Sequence, residues 1–371
     1  MSSRSRPDAR GLRTFRFAAA GVPCEVCVGA GALVRLPGAL GRIAPGRWLV
    51  VSSEPVLTAQ GHRLSEALRG TPGLDPEPLL VPDGEAAKTW TVLGKLLSEM
   101  ARRGLARDGG LVAFGGGTVG DVAGLAASLA LRGVPVVQVP TTLLAAADSA
   151  LGGKTAVNLP AGKNLAGTFH HPRFVCVDPR LLSSLSERDH RSGLAEVVKS
   201  ALLSASFWRR LPGLVDGLGA RDESALAEAV ERSLRVKADV VSRDPDEALG
   251  PRHALNLGHT VAHALEGASR YRLRHGEAVA WGLLAALRLS AARGLLPGRT
   301  AARIEGLVRE LLEPPPLPRA VRRGWPALLR ADKKRDREGL RDVLLAGPGR
   351  PLLERVSAAE LEESLPDEAA S

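Results

Sequence analysis

Three of the chain's eight histidines fall within residues 259–275. His259 and His263 are four residues apart, so a helix would place both side chains on one face, and His275 follows in a nearby turn. Imidazole nitrogens in this arrangement are typical ligands of zinc or another divalent ion of similar softness. Glu196 is a further candidate ligand, because an unpaired carboxylate in its otherwise apolar helical stretch would be costly. The pattern predicts a metal site with an open position for substrate oxygens.

Lysine and asparagine are scarce and unevenly placed. The chain has 50 basic residues, but only eight are lysine, and it has only three asparagines. Arginine cannot replace a compact ammonium group that titrates, so we expect the remaining lysines to be chemically required. Two lysines and two asparagines lie within eleven residues, namely Lys154, Asn158, Lys163 and Asn164. This concentration favours a site for a ligand with a phosphate and a carboxylate over a solvated loop.

Two turns have the residues of a nucleotide-binding site. Residues 115–121 are rich in glycine, follow an apolar strand and open a helix, whose free N–H groups would suit a pyrophosphate. The spacing differs from the G-x-G-x-x-G fingerprint, so an ordinary strand–helix turn stays open as an alternative. Residues 83–88 form a second turn, with a carboxylate and an ammonium that would reach a ribose or a phosphate.

These residues need a scaffold, and the first half of the chain predicts a parallel sheet of the doubly wound type. Apolar strand patterns alternate there with helical patterns. The strands are predicted at residues 24–28, 48–52, 79–81, 110–114, 134–139 and 174–177, and the helices at residues 30–40, 58–68, 87–103 and 121–131.

After residue 178 the pattern becomes amphipathic and helical. Helices are predicted at residues 187–203, 205–217, 223–244, 255–268, 276–293 and 299–312, with a proline-rich break at 313–318 and a closing helix or hairpin at 332–348. The fold class is therefore an α/β domain with a Rossmann-like parallel sheet in residues 1–180, followed by an α-helical domain in residues 181–371. Clefts between such domains commonly hold active sites.

Charge and composition limit the classes of partner. The net charge of +10 suits an anionic ligand, but the basic residues are spread along the chain and aromatic residues make up 3%. Stacking platforms for single-stranded nucleic acid are therefore not expected. The apolar runs are too short to span a bilayer, and the polar N-terminus does not resemble a secretory signal. We expect a cytoplasmic protein that binds neither nucleic acid nor membranes.

Cys24 and Cys27 have the C-x-x-C spacing of some metal and redox sites. They lie in an apolar stretch typical of a strand, where positions three apart point to opposite faces. No second pair of cysteines follows. We therefore interpret them as buried free thiols.

Eight sequence blocks resemble, in order and spacing, the signature blocks of the 3-dehydroquinate synthase family of sugar-phosphate cyclases. They lie at residues 115–121, 131–133, 139–144, 152–158, 162–167, 193–199, 255–266 and 275–277. The resemblance covers residues 20–350. It implies a carbon–oxygen lyase of the shikimate pathway of aromatic amino acid biosynthesis, which converts the small sugar phosphate 3-deoxy-D-arabino-heptulosonate 7-phosphate to 3-dehydroquinate and phosphate. Transient oxidation by NAD, phosphate elimination, re-reduction and aldol closure would follow one another, in a homodimer.

The resemblance also implies a role for individual residues. Glu196, His259 and His275 would bind zinc, or cobalt as a substitute, so His263 becomes a substrate or proton-transfer residue. NAD would contact Asp83, Gly84, Glu85, Lys88, Gly117, Thr118, Val119, Gly120, Asp121, Thr141, Thr142, Lys154, Lys163, Leu181, Leu182, Ser183 and Ser184. The substrate would contact Arg132, Asp148, Lys154, Lys163, Asn164, Lys199, Lys237, Arg252, Asn256, His263 and Lys333 or Lys334. Residues 52–55 depart from the Asp- or Asn-containing turn that the family has near the NAD adenosine.

Two alternative classes of enzyme stay open, and a third, non-enzymatic alternative is disfavoured by the spread of the basic residues along the chain. Sister cyclases that make amino-dehydroquinate, 2-deoxy-scyllo-inosose or valiolone-type products share much of this pattern. A metal-dependent polyol or glycerol-phosphate dehydrogenase would need the nucleotide turn and the metal but not the lysine and asparagine cluster. A basic nucleic-acid-binding protein would show tight, salt-dependent DNA binding and no metal.

Overall fold

The computed structural model describes residues 8–330 and 340–366 of the chain. The described residues form two compact units. The first comprises those of Met1–Ser186 and Arg221–Asp246, and the second comprises those of Glu187–Ala220 and Glu247–Ser371. The sequence pattern predicts a single boundary near residue 180. It does not reveal that residues 221–246 belong with the first unit, because an amphipathic pattern does not say which surface the apolar face of a helix covers.

Strands and helices alternate in the first part of the chain. In chain order they are β1 (Arg13–Ala19), β2 (Val22–Val28), α1 (Leu36–Ile43), β3 (Trp48–Ser52), α2 (Glu54–Leu68), β4 (Leu79–Leu80), α3 (Trp90–Arg102), β5 (Gly110–Gly115), α4 (Gly117–Leu129), β6 (Val136–Pro140), β7 (Lys154–Leu159), β8 (Gly162–Phe169) and β9 (Phe174–Val177). Short 3₁₀ turns lie at Ala32–Arg35, Gly84–Ala87, Ala130–Arg132 and Pro179–Leu182, and a π turn lies at Ala145–Ser149.

Among the described residues, seven strands form one sheet in the order β1-β2-β9-β6-β5-β3-β4. β1 pairs with β2 in the antiparallel sense, and the other neighbours are parallel. β3 and β5 are completely buried, as expected of parallel strands covered on both faces. From β3 the chain moves outward to β4, whereas from β5 it moves to β6 on the other side. The carboxyl ends of β3 and β5 therefore flank a topological switch point, where ligands of such folds commonly bind.

Helices dominate the second part of the chain. In order they are α5 (Glu187–Leu202), α6 (Ala205–Arg210), α7 (Val215–Gly219), α8 (Glu223–Arg243), α9 (His259–Ala268), α10 (His275–Ala292), α11 (Gly298–Leu312) and α12 (Arg319–Arg330), followed by the antiparallel hairpin of β10 (Leu340–Leu345) and β11 (Pro351–Val356) and by α13 (Ala358–Ser364). Two 3₁₀ turns lie at Leu211–Leu214 and Pro251–Asn256.

Ionic and aromatic contacts hold α8 in the first unit. Its Glu231 carboxylate lies 3.7 Å from Arg13 of β1 and 2.5 Å from Arg235 one turn away. The Arg235 guanidinium lies 4.4 Å from the ring centre of Phe15, also on β1, within the range of a cation–π interaction. These contacts give the physical reason why residues 221–246 pack with the α/β unit.

The predicted fold class is confirmed: a parallel-rich α/β region precedes a mainly helical region. All six predicted strands are present with ends within two residues of those observed. The prediction of one helix at residues 205–217 was wrong, because Pro212 interrupts it with a 3₁₀ turn. α4 begins at Gly117, earlier than predicted, because glycine gives a weak helix signal. β1, the β7–β8 hairpin, α12 and α13 were missed.

Two further expectations concern buried groups and membranes. Cys24, Cys27 and Cys176 are free and buried, which confirms the interpretation of the C-x-x-C pair. Burial raises the pKa of the Cys27 thiol, so this group is not a reactive thiolate. No helix within residues 8–330 and 340–366 has the length and apolar character needed to cross a bilayer.

Candidate metal and cofactor sites

Glu196, His259 and His275 come together in the second unit, from the middle of α5 and the first residues of α9 and α10. One ligand atom from each lies within 4.8 Å of the others. The Nε2 atoms of His259 and His275 lie 3.7 and 3.5 Å from Oε1 of Glu196. Glu196 and His259 are deeply set, with side chains 1% and 11% exposed, whereas the His275 side chain is 30% exposed.

These spacings match ligands that share an ion. Nitrogen and oxygen ligands of a tetrahedral zinc, each about 2.0–2.2 Å from the ion, lie about 3.3–3.6 Å from one another. A direct N–H···O hydrogen bond would bring the heavy atoms to about 2.7–3.2 Å. Two imidazole nitrogens and one carboxylate oxygen are also a usual catalytic zinc set. The residues therefore fit a divalent ion with a free coordination position.

Each histidine has a second contact that orients its ring. Nδ1 of His259 lies 3.1 Å from the carbonyl oxygen of Leu257. Nδ1 of His275 lies 3.5 Å from Oε2 of Glu266, one turn after His263 on α9. Such partners direct the Nε2 atoms towards a metal. Glu266 was not among the predicted site residues, although its spacing of seven from His259 puts it on the same helix face and was a usable signal.

Burial and the neighbouring charges shift the pKa of each of the three ligand candidates. Burial tends to raise the pKa of Glu196, but Lys199, His275 and His259 together hold that pKa well below its usual range. Burial, and then the nearby Lys199, lowers the pKa of His259 well below its ordinary value, so this ring is neutral at pH 7. Burial opposes protonation of His275, but Glu196 and Glu266 raise its pKa to about 10. A metal ion would displace that proton on binding.

The other predicted residues of this unit differ in how deeply they are buried. Lys199 is 2% exposed and pairs with Glu196. His263 is exposed, with its ring centre 5.5 Å from that of His259, so it lies beside the three ligand candidates. Arg252 is buried and Asn256 half-buried in the 3₁₀ turn that precedes α9.

In the first unit, the predicted cofactor residues collect at one edge of the sheet. The carboxyl ends of parallel strands share an edge, and residues 83–88, 117–121, 141–142 and 181–184 follow β4, β5, β6 and β9. α4 begins at Gly117 with no side-chain cap, so its first N–H groups remain available to an anion. A Cβ on Gly117 would lie 3.0 Å from Oγ of Ser149, which shows how closely the 145–149 turn approaches this helix end.

Lysine, asparagine and carboxylate side chains form a connected network at this edge. Nζ of Lys88 contacts Oδ2 of Asp121 and Oδ1 of Asn164. The Asn158 amide donates to Oε2 of Glu85 at 2.6 Å, and its oxygen accepts from the Asn164 backbone at 3.0 Å. A further pair joins Nζ of Lys163 to Oε1 of Glu85 at 3.2 Å. Four of the scarce residues are thus brought together by three separate chain segments.

Lys237 and Asp148 form a further ion pair of this unit. Nζ of Lys237, on α8, lies 2.8 Å from Oδ1 and 2.9 Å from the backbone oxygen of Asp148. The residues are 89 positions apart in the chain. Both were predicted to contact substrate, and the return of α8 to the first unit is what brings them together.

Two serines of the divergent turn at residues 52–55 form hydrogen bonds with neighbouring segments of the first unit. Oγ of Ser52 donates to the carbonyl oxygen of Phe114 at 2.7 Å, which joins the carboxyl ends of β3 and β5. Oγ of Ser53 lies 3.3 Å from Oδ1 of Asp83. Gln60, which the sequence analysis missed, is 3% exposed, and its amide lies 3.1 Å from Oγ of Ser184. Its position on α2 gave no sequence signal for this contact.

Arg132, Lys154, Lys333 and Lys334 complete the set of predicted site residues. Arg132 is exposed, with a left-handed backbone at φ 68°, and its side chain makes no hydrogen bond or ion pair within the described residues. Lys333 and Lys334 lie outside the described residues. Lys154 is the exposed first residue of β7.

Comparisons with known proteins agree with this organisation. A family model described as 3-dehydroquinate synthase N-terminal matches residues 78–192, and one described as 3-dehydroquinate synthase C-terminal matches residues 193–335. The 3-dehydroquinate synthase of Syntrophotalea carbinolica is 39% identical over 336 residues, which are 90% of this chain and 92% of the relative.

Two solved structures are similar over nearly the whole chain. A 2-deoxy-scyllo-inosose synthase complexed with carbaglucose-6-phosphate, NAD+ and Co2+ has a TM-score of 0.83 and 27% identity, with 95% of this chain and 99% of the other covered. The 2-epi-5-epi-valiolone synthase ValA from Streptomyces hygroscopicus subsp. jinggangensis 5008, with NAD+ and Zn2+ bound, has a TM-score of 0.82 and 28% identity, with 94% and 97% covered.

Proposed function

Because the chain belongs to the 3-dehydroquinate synthase family, we propose that it converts 3-deoxy-D-arabino-heptulosonate 7-phosphate to 3-dehydroquinate and phosphate. The observation that carries the proposal is the Glu196–His259–His275 cluster, whose spacing fits one divalent ion. The higher identity to a 3-dehydroquinate synthase than to the two sister cyclases favours this substrate over theirs.

Glu196, His259 and His275 would hold zinc, with cobalt as a substitute. The solved sister cyclases, which bind Zn2+ or Co2+ together with NAD+, support this assignment. The ion would supply Lewis acidity towards substrate oxygens. Lys199 would balance the Glu196 charge and offer an ammonium to the substrate, and the exposed imidazole of His263 would take or return a proton at a ring nitrogen.

NAD would bind at the carboxyl edge of the parallel sheet, where it would supply reversible hydride transfer. The free N–H groups at the start of α4 suit its pyrophosphate, and residues 83–88, 141–142 and 181–184 line the same edge. We therefore propose cofactor binding for residues 1–180 and metal binding for residues 181–371.

The lysines would bind the phosphate and carboxylate of the substrate. Lys163 and Lys237 are each already paired with a carboxylate, on Glu85 and Asp148, and Lys88, which we assign to NAD, is likewise paired with Asp121. An incoming anion would meet ammonium groups that are held in place and would exchange partners with the carboxylates. This lowers the entropic cost of ordering long side chains on binding. A cytoplasmic location and a homodimer are parts of the same proposal.

The test is phosphate release from heptulosonate 7-phosphate in the presence of a catalytic amount of NAD. We expect release that exceeds the NAD supplied, stops when a chelator removes the metal and returns when zinc is added. Absence of chelator-sensitive release would refute the proposal. A hexose 6-phosphate serves as the control for an inosose-type cyclase, and net NADH formation from a polyol would instead indicate a dehydrogenase.

A further inference from the structure

A buried hydrogen bond ties the helix that carries His259 to the C-terminal hairpin. Thr260 follows His259 in the first turn of α9, and its Oγ1 donates to Oδ1 of Asp342 at 2.8 Å. Asp342 lies on β10, 82 positions later in the chain. Both residues are buried, at 4% and 3% exposure.

Burying the Asp342 carboxylate costs free energy unless the group accepts hydrogen bonds. A carboxylate removed from water is strongly destabilised when it lacks donors, so the Thr260 hydroxyl compensates for a real penalty. The carboxylate also lies at the N-terminal end of α9, where the helix dipole favours negative charge. The contact therefore opposes any displacement of the first turn of α9 away from β10.

β10 is itself firmly placed. The backbone N–H of Leu345 donates to Oγ of Ser290 at 3.0 Å, and Ser290 lies fully buried on α10. The helix that begins with His275 therefore holds the strand that carries Asp342. Asp342 in turn holds the helix that begins with His259.

The residue before His259 is fixed by a close backbone approach. Gly258 has φ 76°, in the left-handed region that favours glycine, and a Cβ on Gly282 would lie 1.9 Å from the Gly258 carbonyl oxygen. The start of α9 thus touches the backbone of α10 directly. His259 lies between this contact and the Thr260–Asp342 hydrogen bond, so little freedom remains for its backbone.

We propose that Asp342 is a positioning residue of the metal site, which acts through Thr260 to hold Nε2 of His259 opposite Glu196. The inference rests on the proposed function only in taking Glu196, His259 and His275 as metal ligands. Partners outside the ligand set commonly change metal affinity by about 10- to 100-fold. The Thr260–Asp342 contact is one step further from the ion, so its effect belongs at the lower end of that range.

The test removes the hydroxyl and preserves the shape of the side chain. Thr260→Val should weaken zinc binding about tenfold in competition with a chelating dye, and should alter the visible absorption of the Co²⁺-loaded protein. Thr260→Ser restores the hydroxyl and should bind zinc within about twofold of the wild type. Thr300→Val, in the first turn of α11, is the matched control and should leave zinc affinity unchanged.

Thermal unfolding of the metal-free variants separates this role from a purely structural one. If Thr260→Val lowers the unfolding temperature but keeps wild-type zinc affinity and the wild-type Co²⁺ spectrum, the contact serves the fold alone and the inference is overturned. A failure of Thr260→Ser to restore zinc affinity would overturn it as well. If the wild-type protein binds neither zinc nor cobalt, the metal assignment of the proposed function fails instead.

Discussion

The two charged clusters use similar side chains for opposite purposes. In the first unit, Lys88 and Lys163 are balanced by the carboxylates of Asp121 and Glu85, so the lysine donors are held ready for an anion. In the second unit, the Glu196 carboxylate faces two imidazole nitrogens at the spacing of ligands around one cation. The first cluster therefore offers ammonium groups to an anion, and the second offers lone pairs to a cation.

The charged pairs in the two clusters also differ in how far their side chains are buried. The side chains of Glu85 and Lys163 are 49% and 29% exposed, so water screens their attraction and a ligand displaces it at small cost. Glu196 and Lys199 are 1% and 2% exposed, where losing one partner leaves an uncompensated charge. The Lys163–Glu85 pair of the first cluster is therefore suited to exchanging partners, and the second cluster to holding one ion.

The largest effect is expected from Glu196→Gln. An amide does not carry the charge that balances a divalent ion, so zinc affinity should fall by more than about 100-fold, beyond the range for groups outside the ligand set. Zinc content measured after dialysis reports the loss. Glu187→Gln, at an exposed position of the same helix, should retain zinc. Full zinc content in Glu196→Gln would contradict the distinction between the clusters.

Lys88→Met tests the first cluster. Asp121 loses its ammonium partner, and because the Asp121 side chain is 22% exposed we expect a loss of about 2 kcal/mol, below that for a fully buried pair. Urea unfolding measures this loss, zinc content should stay unchanged, and Lys95→Met on the surface of α3 is the control.

The same variant has a predictable pH dependence. Burial raises the pKa of Asp121, and Lys88 opposes that rise, so the substitution should raise the pKa further. A carboxyl whose folded-state pKa lies above its unfolded value favours folding as the pH falls through the folded pKa. The stability deficit of Lys88→Met should therefore shrink on acidification. A deficit that grows would contradict this description of Asp121.

The smallest effect is expected from Glu266→Gln. The amide can still accept a hydrogen bond from Nδ1 of His275 but lacks the charge, so zinc affinity should fall about tenfold. Chelator competition measures it, and Glu266→Ala should give a larger loss. Equal affinities in both variants and the wild type would show that His275 is oriented by packing alone.

Much of the scaffold could be predicted from the sequence because local patterns encode it. All six predicted strands exist, since each is a short apolar run between turn residues. The β7–β8 hairpin was missed because it is partly polar and glycine-rich, and its role depends on contacts with distant segments. The placement of α8 was also hidden, because a helix pattern identifies an apolar face without naming the surface it covers.

For the sites, the residue types alone indicated the chemistry. The scarcity of lysine and asparagine pointed to the anion-binding residues, and Glu196 with three histidines pointed to a metal, because those side chains are costly or rare elsewhere. Helical spacing could not say which histidines share the ion with Glu196; the family resemblance implied His259 and His275. The tertiary structure brought those two together with Glu196, joined Lys88 to Asp121 and Asn164, and placed Asp342 against Thr260. Such contacts join residues dozens of positions apart, so packing between elements decides them and no local pattern can.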